Sequence, residues 1–201
     1  MRAFVCIYAR NLMIASPLPY IAILALAVFA TLAALDGVWL HLWKLRLHTR
    51  PASYGEHLWH TASALLFAPA IALLFVWQVS GAALWSTVAL LVALHAVEVL
   101  DVRAERESRR ELGGLSRFEL SLHVAAVASR TIAVAALLIA RPISIWRLDG
   151  ASAGDVLPSI VAQVGAAVSV GALAIAALHV VLAARYCPAR CRRVAVGGGW
   201  A

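Results

Sequence analysis

Apolar residues run almost without interruption through five stretches of this chain: Tyr20 to Trp43, His60 to Val79, Leu84 to Leu100, Leu120 to Ala140 and Val156 to Ala184. Each approaches or exceeds the length at which a helix crosses about 30 Å of hydrocarbon. The breaks between them are turn-like: Pro51 with Gly55, Ser80-Gly81, Gly113-Gly114, and the stretch from Pro142 to Pro158. The pattern predicts an all-α, polytopic membrane helical bundle of five transmembrane helices, built as two repeated helical hairpins plus one extra helix. Residues 1–19 read as an extracytoplasmic N-terminal segment and 20–140 as a four-helix transmembrane bundle. An outer loop and the fifth helix follow over 141–184, then a basic cytoplasmic tail over 185–201.

Composition agrees with a bilayer protein. Of the 201 residues 63% are hydrophobic and only 13% charged, where soluble domains carry about a quarter charged residues; the mean hydropathy is +0.87. No part of the chain reads as a soluble domain. Arg2, Arg10 and the prolines at 17 and 19 precede an apolar run with no small-residue cleavage site, which reads as a retained helix and not a signal peptide. Met13 offers an alternative start to Met1. Tyr20, Trp39, Trp43, Tyr54, Trp59, Trp77, Trp85 and Trp146 lie near segment ends, as an aromatic belt does.

Charge placement orients the bundle. Twelve of the 17 Lys and Arg fall in the first-to-second link, the third-to-fourth link and the C-terminal tail. The positive-inside rule makes that side cytoplasmic, with the N-terminus outside and the C-terminus inside, in a bacterial inner (plasma) membrane. The net charge of +7 then matches anionic membrane lipids, and nucleic acid is not an expected partner. Eight of the ten acids gather on the same side: Asp36, Glu56, Glu98, Asp101, Glu105, Glu107, Glu111 and Glu119. His41, His57, His60 and His123 join them, with His48 farther out, His95 deeper and His179 apart on the fifth segment.

Within this layer one octet occurs twice, Ser53-x-x-Glu56-x-x-x-His60 and Ser116-x-x-Glu119-x-x-x-His123, each opening an apolar segment. Glu and His four residues apart share a helix face, and an acid, Asp36 or Asp101, lies near the end of the preceding segment. Ser followed by Glu three residues on is also a capping box, which accounts for the glutamates but not for the histidines one turn deeper. An ionisable residue inside a membrane span costs about 2.5–3.5 kcal/mol even on the gentler scale, so a cluster at one level marks a functional site. The candidate metal ligands are Asp36, His41, Glu56, His57, His60, Asp101, Glu105, Glu119 and His123.

Arg130, two turns beyond His123, is a candidate substrate or charge partner, and His95 a candidate orienting group. The alternating charges from Asp101 to Glu111 also fit a solvated helix projecting from the membrane, laced by Glu105 and Arg109. Cys187 and Cys191 are spaced C-x-x-x-C, unlike the C-x-x-C of zinc and redox sites, and Cys6 is unpaired.

The strings DGVWLHLWKLRLHTRP, EHLWHT and ERESRRELGGLSRFELSLH are similar to segments of small bacterial polytopic membrane proteins, a resemblance that covers the first four segments and carries no activity over. The pattern of paired acids and histidines resembles the di-iron four-helix bundle, with Glu-x-x-x-His where those proteins have Glu-x-x-His. That resemblance implies a dinuclear centre of two divalent metal ions; oxygen and imidazole donors without thiolate suit iron, manganese or zinc, in that order, which points to an oxidoreductase acting on a lipid-like substrate if iron is bound and to a hydrolase if zinc. The H-x-x-H-H boxes of the membrane hydroxylases and desaturases are absent. Two other readings stand beside it: a transporter or proton relay, for which the second to fourth segments carry few polar positions beyond Arg130, and a haem-binding electron carrier drawing on His41, His95, His123 and His179. The small residues of the fifth segment, Gly165 and Gly171 among them, suit close helix contact, within the bundle or in a homo-oligomer.

Overall fold

The computed structural model describes residues 16–148 and 157–188. Met13, Cys6, Asp149, Asp155 and the tail with Cys191 lie outside the described residues. The chain is all-α. Helix α1 spans Leu18–Ala33 and continues as a π-helical stretch, Ala34–Lys44. Helix α2 spans Tyr54–Ile71 with a π-helical end, Ala72–Val76. Helices α3, α4 and α5 span Gly81–Ser108, Arg117–Ala140 and Ser159–Arg185. With their extensions, all five are long and apolar enough to cross a membrane.

The hairpins expected from the repeat do not form as packed pairs of consecutive helices. Helix α1 packs along α4 and against α5, while α2 packs along α3 and α5. The fifth helix, expected as an addition to a four-helix bundle, touches both α1 and α2. Its contact with α2 is close because Gly165 has no side chain: a Cβ there would collide with the Cβ of Phe75. Changing Gly165 to Ala is therefore expected to destabilise the bundle by about 1–3 kcal/mol through overpacking. Gly171, where an added Cβ meets nothing within 4 Å, serves as the control. A detergent thermal scan showing equal midpoints for the two variants would contradict this packing argument.

Large side chains fill the interior: Leu26, Ile71, Leu74, Phe75, Leu84, Leu94 and Leu137 are all 1% exposed or less. Others of the same kind face outward, Leu24 at 67% and Ile139 at 70%, on helices apolar enough to cross a membrane. In a bilayer helix association rests on van der Waals fit and polar contacts, because lipid tails are as apolar as leucine. Polar ties follow at both ends. At one, Arg141 donates to the carbonyls of Gln78 and Val79 at 2.7 and 2.8 Å. At the other, called the basic end here, the Tyr54 hydroxyl donates to the Ala183 carbonyl at 3.3 Å.

Candidate metal centre

Both octets and both acids meet at the basic end. Antiparallel helices bring the last turns of α1 and α3 level with the first turns of α2 and α4, and the two halves exchange partners there. Asp101 of the second half lies 2.7 Å from His60 Nδ1 of the first, and Asp36 of the first lies 3.2 Å from His123 Nε2 of the second. His41 completes a trio of imidazoles, with ring centroids 4.7 Å from His60 and 5.9 Å from His123.

The π-helical stretch is what admits His41. In an α-helix five residues leave two side chains roughly 140° apart, so Asp36 and His41 would face different ways. The wider winding of Ala34–Lys44 brings them onto one face, with His41 Nε2 3.5 Å from Asp36 Oδ1. Such windings gather at functional sites.

Hydrogen bonds aim the rings. His60 Nδ1 donates to Asp101 while its Nε2 pairs with His41 Nδ1 at 2.7 Å, and His123 Nδ1 donates to the Glu119 carbonyl at 3.0 Å, which turns its Nε2 inward. A carboxylate or carbonyl behind an imidazole is how metal-binding histidines are held in tautomer and orientation. Within the centre, His123 Nε2 lies 2.7 Å from Glu105 Oε1 and 3.2 Å from Asp36 Oδ2, and Asp36 Oδ1 and Asp101 Oδ1 are buried without a hydrogen-bond partner. Two overlapping groups could hold a metal ion: Asp36, His41, His60 and His123, and His41, Glu56, His60 and Glu105, with the ligand atoms of each within 4.8 Å of one another. Orphaned carboxylate oxygens beside imidazoles in one buried place suit a divalent cation, since an unpartnered buried polar group costs about 1–3 kcal/mol.

The paired glutamates have another cation between them. Arg109, 1% exposed, donates through Nη1 and Nη2 to Glu56 at 2.7 and 2.9 Å and through Nε to Glu119 at 2.8 Å. Burial works against its charge, but the hydrogen bonds and charges of Glu56 and then Glu119 outweigh that and hold the guanidinium above its ordinary range. Gly113 and Gly114, with φ of 88° and 92°, turn the chain back so that Arg109 and Glu119 meet; both sit in the left-handed region that glycine occupies freely.

The two octets consequently differ. Ser116 and Glu119 form a full capping box, with Glu119 Oε2 accepting from the Ser116 amide at 3.1 Å. Ser53 makes no cap and instead accepts from the Ser108 hydroxyl at 2.7 Å. His57 turns from the centre: its ring stacks on His179 at 4.8 Å and bonds to the His179 carbonyl at 3.1 Å. Arg130 makes a two-pronged ion pair with Glu98 across α3 and α4 and lies over the Phe29 ring, so it is a charge partner. His95 bonds to its own helix at the Leu91 carbonyl, 2.9 Å away. Glu107 pairs with Arg110 on the surface, both more than half exposed, where such pairs contribute little.

Arg109 is the residue of this buried cluster that the charge pattern hid. Its neighbours Arg106, Glu107, Arg110 and Glu111 have the alternating signs of a solvated face, and only the α-helical step from Asp101 through Glu105 to Arg109 separates it from them. The chain matches no protein-family model, no curated protein and no solved structure. What the centre can do is therefore read from its own donors: clusters of imidazole and carboxylate, without thiolate, that could bind metal at one end of an apolar helical bundle.

Proposed function

We propose that the chain is a multi-pass inner-membrane protein, its basic end cytoplasmic, that holds two divalent ions in this centre. Asp36, Glu105, His60 and His123 are the ligands in this reading, Glu56 and His41 are held by Arg109 beside them, and Asp101 orients His60. The observation that carries it is the meeting of Asp36, Glu105 and His123, with His123 Nε2 3.2 and 2.7 Å from the two carboxylates, inside a ring of imidazoles. Asp36, Glu56, Asp101, Glu105 and Glu119 are all buried about one buried guanidinium, Arg109, an excess of carboxylate that favours added cations, and two overlapping ligand groups among the described residues give the number.

Oxygen and imidazole donors suit iron or manganese, and zinc next. Such ions supply either oxygen-dependent oxidation or, for zinc, Lewis-acid polarisation and water activation. The protein's part is to keep the ligands in register and dry. A slot of about 200 Å³ between α3 and α4, lined by Leu91, Val134, Ala135 and Leu138 with His95 and Arg130, favours a lipid-like substrate, because its lining is largely apolar.

A specific observation favours a second reading. Arg109 Nη2 lies 3.1 Å from His41 Nε2, His41 Nδ1 lies 2.7 Å from His60 Nε2, and His60 Nδ1 reaches Asp101, a continuous chain suited to moving protons in a relay or transporter. Metal analysis of the purified wild-type protein separates the two. Two equivalents of a transition metal per chain are expected, and a protein that stays folded and metal-free after supply with iron, manganese and zinc leaves the relay as the reading.

A further inference from the structure

The acceptors around Arg109 are those of a metal site. Its guanidinium is ringed by both oxygens of Glu56, Oε1 of Glu119, Nε2 of His41 and the Ser108 hydroxyl, at 2.7–3.1 Å. Two carboxylates, an imidazole and a hydroxyl make a donor set of hard cation type. Glu56 and Glu119 are moreover the same position of the two octets, the pair that a two-fold dinuclear site would use as bridges.

The repeat extends to the arginine. Arg109 lies seven residues before Ser116, and Arg46 lies seven residues before Ser53. The two have opposite fates: Arg46 is exposed, with its backbone in the left-handed region at φ 51°, whereas Arg109 is 1% exposed. One arginine of an equivalent pair enters the centre. A planar guanidinium with fixed donors can satisfy two carboxylates at once, and a second one would compete for the same oxygens.

We infer that Arg109 is a resident cation that occupies a third metal-type position, between Glu56 and Glu119, and thereby sets the number of divalent ions at two. This rests on the metal-centre reading above. It assigns Arg109 a positioning role: the guanidinium confines exchangeable metal to the side of Asp36, Glu105 and His123, and keeps the repeat-related glutamates from bridging ions.

The test is metal stoichiometry in full-length protein, purified, stripped with chelator and reloaded with Mn²⁺ alone. Wild type and Arg46→Met are expected to hold two equivalents and Arg109→Met three, because the vacated donor set then carries the uncompensated charges of Glu56 and Glu119. The double variant Arg109→Met with Glu119→Gln removes one buried charge of each sign and is expected to return to two. Two or fewer equivalents in folded Arg109→Met, with two in wild type, overturn the assignment while leaving the centre intact. No stoichiometric metal in wild type overturns the centre itself and this assignment with it. Should Arg109→Met alone fail to fold, the double variant decides: two equivalents support the assignment, and fewer, or failure to fold, overturn it.

Discussion

Replacing His123 with Ala is expected to strip the centre of divalent metal, whereas replacing Asp101 with Asn is expected to weaken binding by roughly 10- to 100-fold without abolishing it. The difference follows from what each side chain does. His123 Nε2 faces Asp36 and Glu105 at 3.2 and 2.7 Å, so in the proposed reading its loss removes a ligand outright. Asp101 stands behind His60, so its loss frees the ring to turn and to change tautomer but does not remove the imidazole. Competition with a chromophoric chelator measures both. An Asp101→Asn protein as depleted as His123→Ala would place Asp101 among the ligands, and unchanged affinity in His123→Ala would remove His123 from them.

Arg130→Ala is expected to be the most destabilising single change outside the centre. Arg130 is 3% exposed and holds Glu98 from the neighbouring helix. Removing one partner of such a pair leaves an uncompensated charge and costs about 3–5 kcal/mol; the Glu98 side chain is 22% exposed, which favours the lower part of that range. Replacing both residues with Leu is expected to cost much less, since the penalty comes from the orphaned carboxylate and not from the lost bond. Unfolding midpoints in detergent, compared for the single and double variants, check this. Equal losses for both would mean that packing over Phe29, and not charge, is what Arg130 supplies.

Much of the architecture was legible from the chain because a bilayer-length helix writes itself in consecutive apolar residues. Five long apolar helices and their breaks at Pro51, Ser80-Gly81 and Gly113-Gly114 appear in the structure as the pattern put them, except that α2 begins at Tyr54 and α3 runs on to Ser108, beyond the apolar stretches that start at His60 and end at Leu100. The level of the site was legible for the same reason: once spans alternate in direction, Asp36, Glu56, Asp101 and Glu119 must share one end. Helical spacing also placed Glu56 with His60 on one face.

Side-chain partners were not legible, since they depend on which helices touch. The repeat suggested that each half would act as a hairpin, yet α5 contacts both α1 and α2, and Asp36 and Asp101 serve the histidines of the opposite halves. His41 depended on a π-helical winding for which residues 34–44 give no periodic sign. Arg109 depended on a turn at Gly113-Gly114 that folds it under the centre instead of out to solvent. By itself the sequence determined the number of its long apolar helices and the layer in which its polar chemistry lies, because those follow from local hydropathy and chain direction. Only the tertiary structure decided that three imidazoles converge, that His57 leaves them, and that Glu56 and Glu119 close on an arginine, because a buried charge takes its partner from whatever packing places within hydrogen-bond reach.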